Sequence, residues 1–325
     1  MREWDSDPQR RPPLFLSGAR RSGTHLIYRL FDRHPDFFNP GLEVWFFEFL
    51  ESLGPAEARH FERFLAEAPT AAVVDAMFER QLLPVLRNEH LFNDSMVNRE
   101  TVDVAWDEPA FINHFDHLRC KAPADLRALF LAWFDAMRLT LEEEDRPRPV
   151  VWKTTDYGTT ARAASRIFDD LRILFIVRHP FYSISSLVNL RRKQPHRFQF
   201  SPMRILEETA QINRMYECLK QLRTEKDVKV AVIRFEDLLH DSTKTLKPAT
   251  SDLGIDWHDC LSEPTFFGRP WKGDSGFNIM HGVDRSPLDP NRILLSAEEC
   301  AQVTECLEGF MQAFGYSGDI DNLCA

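Results

Sequence analysis

The chain has 325 residues, 43% of them hydrophobic, and a formal net charge of −10. That size and apolar content suit one large α/β domain. The acidic balance argues against nucleic acid or a long polyanion as partner, while leaving room for a local basic pocket. No run approaches the roughly 18 apolar residues of a membrane span, and the start Met-Arg-Glu-Trp-Asp-Ser-Asp-Pro lacks the apolar core of a secretory signal. The six cysteines (Cys120, Cys218, Cys260, Cys300, Cys306, Cys324) show no C-x-x-C pair and no metal-ligand rhythm. A reduced cytoplasmic protein with no membrane anchor and no metal is expected.

Residues 1–12 are polar and contain proline, which predicts a loose arm. Residues 13–17 form an apolar, strand-like run, and from Gly23 onward Leu26, Ile27, Leu30 and Phe31 have helical spacing. Between these elements Gly18 and Gly23 bracket Ala19, Arg20, Arg21 and Ser22. A strand, glycine loop and helix in this order aim backbone N–H groups at an anion, and the helix dipole favours negative charge there. A loop for ATP or GTP would read G-x-x-x-x-G-K-[ST]. Thr24 and His25 stand in its last two places here, so the loop should hold an anionic ester without a loop-bound metal, with Arg21 as its cation.

Residues 51–148 change character: helical stretches at 56–67, 70–87 and 123–143 are joined by an irregular segment around 88–119, and no strand is evident. They read as a helical insertion covering one end of the sheet. Strand-like runs follow at 149–152, 171–177 and 228–235, separated by helical patterns at 158–169, 181–193 and 203–224. Such alternation implies βαβ units, hence a P-loop-like α/β fold: one domain over 1–325 whose parallel sheet carries helices on both faces. Near the end, Ser296-Ala-Glu-Glu299 is a capping box, and Gly315 closes the helix that it opens.

The uninterrupted strand Ile173–Val177 is followed by Arg178, His179 and Pro180, with Ser186 in the helix beyond. Pro180 is a helix-start signal. Arg178 and Ser186 can converge on one anion at the crevice where α/β sheets bind ligands. A kinase or GTPase would need an acidic residue at a strand end to organise Mg²⁺, and Arg178 suits a second phosphate instead.

Taken together, these segments resemble the sulfotransferases that use 3′-phosphoadenosine 5′-phosphosulfate (PAPS). Arg21-Ser22-Gly23-Thr24 resembles that family's 5′-phosphosulfate loop, which implies that Gly18, Arg20, Arg21, Ser22, Gly23, Thr24 and His25 bind the donor. Arg178-x-Pro180 with Ser186 resembles its 3′-phosphate motif. Trp271-Lys272-Gly273-Asp-Ser-Gly276 is similar to its Lys-Gly-x-x-Gly loop, with Trp271 where an arginine often stands. Trp271 would stack on the adenine or simply pack. Val232–Leu239 resembles the family's strand followed by Glu-Asp-Leu, for which a structural role is expected.

Sulfuryl transfer requires a base for the acceptor, in-line positioning and charge neutralisation on the leaving phosphate. Glu43-Val-Trp-Phe-Phe47 resembles the Glu-Val-His-Phe-Phe stretch of glycosaminoglycan sulfotransferases, which implies that Glu43 is the base. Set among its apolar sequence neighbours, its pKa is expected to rise toward a useful range. His25, beside the loop, is the competing base. Lys153 in Val151-Trp-Lys153-Thr-Thr-Asp-Tyr157 is similar to the family's Lys-[ST]-Pro-x-Tyr segment, without its proline, and would approach the sulfate and acceptor. Arg21 acts electrostatically, because arginine donates no proton at neutral pH. The expected activity is transfer from PAPS to a hydroxyl or amine of a small-molecule acceptor, releasing 3′,5′-ADP. A P-loop nucleotide-dependent kinase and a non-catalytic nucleotide-binding module are the alternatives.

Overall fold

In the computed structural model, residues 12–41, 107–121, 126–141, 147–154, 158–193, 203–271, 273 and 288–316 are described. Four parallel strands form the central sheet: β1 (Leu14–Ser17), β2 (Val151–Lys153), β3 (Leu171–Val177) and β4 (Val228–Arg234), in the spatial order β2-β1-β3-β4. β1 is therefore central, pairing Leu16 with Lys153 on one side and Leu174 on the other. Phe38 bridges Val150 in parallel and extends the β2 edge. The carbonyl of Pro149 accepts from Phe38 N–H and that of Phe38 from Val151 N–H, so the predicted strand at 149–152 is shifted to 151–153.

Strands β1, β2 and β3 are buried on both faces, β4 is partly exposed, and the strand residues divide with a period of two. Phe15, Trp152, Ile173, Phe175 and Val177 belong to one core layer. Leu14, Leu16, Val151, Leu174, Ile176, Ala231 and Ile233 belong to the other. The second layer is covered by α1 (Thr24–Leu30) and by two helices after β4, α7 (Phe235–His240) and α8 (Ser242–Asp252). The first is covered by α2 (Glu108–Lys121), α3 (Leu126–Leu141), α4 (Thr159–Ile167), α5 (Pro180–Lys193), α6 (Met203–Leu222), α9 (Ala297–Cys306) and α10 (Glu308–Ala313).

The described part of the insertion differs from its expected form in two ways. Residues 108–121 are helical, not irregular: the Asp107 carboxylate caps the Ala110 N–H at 2.9 Å, and Phe111 and Phe115 both pack on Trp133. Helix α3 also lies against a face of the sheet instead of over its end, with the Phe130 ring 4.9 Å from Trp152. The predicted helices at 56–67 and 70–87 lie outside the described residues. At the C-terminal end the capping box forms as expected. Fully buried Leu307 leaves helical geometry there (φ −119°, ψ 19°) and divides the single predicted helix into α9 and α10 before Gly315, at φ 66°, turns the chain.

His34, just after α1, is buried and neutral by construction. Its Nδ1 accepts the Asp36 N–H at 3.3 Å, so Nε2 carries the proton donated to the Asp256 carbonyl at 3.1 Å. Burial lowers its pKa below 6.5. The unfolded chain then binds more protons just below pH 6.5, so the stability held by neutral His34 is lost as pH falls through that region. Thermal unfolding should show it: between about pH 7.5 and about pH 5.5 the wild-type Tm falls more steeply than that of His34→Gln. Parallel slopes would refute the assignment.

Candidate active site

The loop after β1 is wound tightly enough to dictate its residues. A Cβ on Gly18 would lie 2.6 Å from both the Ile176 carbonyl and Ser22 Oγ, so only glycine passes β3 here. Gly23 has φ +101°, and a Cβ there would meet the Phe235 ring at 2.3 Å. Ser22 folds the turn on itself, its amide and its hydroxyl both donating to the Ala19 carbonyl, at 3.1 and 2.6 Å. Arg21 adopts φ 62°, a left-handed conformation that costs a non-glycine residue about 1 kcal/mol.

Two long-range contacts hold Arg21 there. Its Nε donates to Ser186 Oγ at 3.1 Å, and its carbonyl accepts from Arg178 Nη1 at 2.8 Å. The loop after β1, the end of β3 and helix α5 are thereby joined at the carboxyl ends of neighbouring strands, where α/β sheets bind ligands. The guanidinium of Arg178 lies 4.6 Å from the Phe235 ring and 5.9 Å from that of Tyr182. Burial pushes its pKa down to about 10, with Glu236 opposing the fall and Arg21 adding to it, so it stays charged at neutral pH. Behind it, the His179 N–H donates to Glu236 Oε1 at 2.9 Å.

The other predicted residues are placed less uniformly. Lys153 is the last residue of β2, not one following it; it pairs with Leu16 next to the loop and is fully buried. Thr24 is buried as the first residue of α1, and His25 beside it is half-buried. Arg20 is half-exposed, 3.7 Å from the buried Glu208 carboxylate on α6. Trp271 is half-buried against the core layer that α1 covers, its backbone amide donating to the Pro264 carbonyl, and Gly273 is buried at φ 89°. Glu43 and Lys272 lie outside the described residues.

Helix α1 and the turn after it also carry anchors that the sequence did not single out. Asp32 accepts from Thr265 Oγ1 and from the amides of Phe267 and Gly268. It thereby fixes the hairpin of β5 (Thr265–Phe266) and β6 (Arg269–Pro270) that leads to Trp271. Buried Arg29 lies 4.2 Å from the Phe266 ring and donates to the Gly41 carbonyl at 3.0 Å. An arginine within the apolar spacing of Leu26, Ile27 and Leu30 was the available signal for Arg29; Asp32 gave none. Among the described residues no His, Cys, Asp and Glu cluster could hold a metal, and no helix is long and apolar enough to cross a membrane.

A parallel α/β sheet with a glycine loop and a strand-end arginine locked together at its switch point defines a P-loop-like α/β core. The sulfotransferase family profile matches residues 12–259, and the chain belongs to that family. The fold agrees. The sulfotransferase domain from the curacin biosynthetic pathway superposes with TM-score 0.55 at 16% identity, covering 95% of this chain and 99% of that one. The sulfotransferase domain of the Synechococcus PCC 7002 olefin synthase gives 0.55 at 20% identity, covering 92% and 94%. A search of curated protein sequences returned no match.

Proposed function

We propose that this sulfotransferase takes its sulfuryl group from PAPS and delivers it to a hydroxyl or amine of a small-molecule acceptor, releasing 3′,5′-ADP without a metal. The observation that carries the reading is the pair of contacts from Arg21 to Ser186 and from Arg178 to the Arg21 carbonyl. They bring the Arg21 guanidinium to the Ser186 hydroxyl and the Arg178 guanidinium to the Arg21 backbone, a donor set suited to a nucleotide with anionic groups at both its 5′ and 3′ positions. Gly18 lets the loop pass close against β3, since any side chain there would collide with the strand.

In this reading the backbone of Gly18, Gly23 and Thr24 receives the 5′-phosphosulfate, in a turn that Ser22 holds closed. Arg178, Ser186, Lys272 and Gly273 receive the 3′-phosphate. Arg20, turned toward Glu208, adds only to the field at the loop's mouth. The acceptor atom forms a bond to sulfur as the bond from sulfur to the bridging phosphate oxygen breaks. The acceptor's proton passes to Glu43, with His25 as the competing base, and Arg21 and Lys153 offset the charge on the leaving phosphate. The cytoplasmic setting expected from the composition is part of the same proposal.

Calorimetry with 3′,5′-ADP and with ATP–Mg²⁺ tests the donor. The reading expects 3′,5′-ADP to bind more tightly, and tighter binding of ATP–Mg²⁺ would overturn it in favour of a kinase. An acceptor screen followed by 3′,5′-ADP release then identifies the second substrate.

A further inference from the structure

Glu236, the second residue of α7, uses both carboxylate oxygens on elements far from it in sequence. Oε1 accepts the N–H of His179, the residue directly after Arg178, at 2.9 Å. Oε2 accepts the Tyr316 hydroxyl at 3.0 Å, from the end of the chain's last described segment. The Tyr316 ring packs 5.0 Å from that of His179 and has the Arg234 guanidinium 4.6 Å from its centre. The residue before Glu236, Phe235, supplies the ring under Arg178 and the surface that Gly23 touches. One short stretch, Phe235-Glu236, thus braces the glycine loop, the Arg178 side chain and the backbone that follows it.

We infer that Glu236 is a positioning residue for the donor's 3′-phosphate: by holding the His179 amide and the Tyr316 hydroxyl together, it fixes the direction in which Arg178 leaves strand β3. The inference rests on the donor reading above. A carboxylate is the group suited to this place, because it accepts two hydrogen bonds at once and its charge offsets the cost of burying the nearby guanidinium. Glutamine offers one carbonyl oxygen to two donors and no charge. The Tyr316 hydroxyl remains a donor throughout, since burial and then the charge of Glu236 hold its pKa far above the ordinary tyrosine value.

The test compares two ligands that differ only at the 3′ position. Affinities of the full chain for 3′,5′-ADP and for 5′-AMP are measured by calorimetry in wild type, Glu236→Gln and Tyr316→Phe. In Glu236→Gln, preference for 3′,5′-ADP over 5′-AMP falls by about tenfold with 5′-AMP affinity unchanged, the size of one lost charge-assisted hydrogen bond. Tyr316→Phe keeps the ring and gives a smaller fall in the same direction, so it decides alone if Glu236→Gln does not fold. An unchanged preference in both variants, or equal loss for both ligands, overturns the inference. A wild type with no preference for 3′,5′-ADP would instead remove the donor reading itself, and the role of Glu236 with it.

Discussion

Arg178→Ala is expected to weaken 3′,5′-ADP binding by about 100-fold or more and to raise the KM for PAPS in proportion. Three losses coincide at this side chain. The guanidinium is the cation at the end of β3 that would face the 3′-phosphate, and a charge-assisted contact in a partly buried site is worth more than a surface pair. Its Nη1 also donates to the Arg21 carbonyl, and Arg21 holds a left-handed conformation that needs support. The third loss is packing between Phe235 and Tyr182. Arg178→Lys separates these effects: it keeps a charge but not the planar fork. Its affinity should fall between wild type and Arg178→Ala. Wild-type 3′,5′-ADP affinity in Arg178→Ala, with fold intact by circular dichroism, would place the 3′-phosphate elsewhere.

The parts of this site that were legible in the sequence are those whose geometry is local. Gly18 and Gly23 announce a tight loop because of where a Cβ would go, and the apolar run into Arg178, Pro180 and Ser186 fixes a strand, a helix start and a helix position within 16 residues (171–186). What escaped is carried by contacts without a local signature. Arg21 meets Ser186 across 165 positions, Glu236 meets Tyr316 across 80, and Asp32 meets Gly268 across 236. Two adjacent arginines look alike in sequence, yet Arg21 turns to Ser186 and Arg20 to Glu208. The helix at 108–121 was different: Asp107 as cap with Phe111, Phe115 and Leu118 on one face was readable, and the polar residues between them masked it.

Glu43→Ala is expected to lower kcat by about 10²–10⁴, the usual contribution of a general base, while 3′,5′-ADP affinity stays within about twofold of wild type. Glu43 itself lies outside the described residues, but the chain leading to it is firmly set. Phe38 pairs in parallel with the β2 edge, so this segment runs toward the carboxyl ends of the strands, where Lys153 and the glycine loop stand. Asn39 donates to the Tyr28 carbonyl and accepts the Gly41 N–H, both at 2.8 Å. Arg29 holds the Gly41 carbonyl, and Gly41 at φ 74° leaves no room for a Cβ beside Phe267. The proposed function places its general base two residues after this turn, where it must meet the acceptor in line with the donor. The split between kcat and affinity separates this role from donor binding, which Arg178 tests. It also separates the two bases: His25→Gln should leave kcat within about threefold of wild type if Glu43 takes the proton. Wild-type turnover in Glu43→Ala together with a collapse in His25→Gln would move the base to His25, and with it the acceptor's approach to the helix that follows the glycine loop.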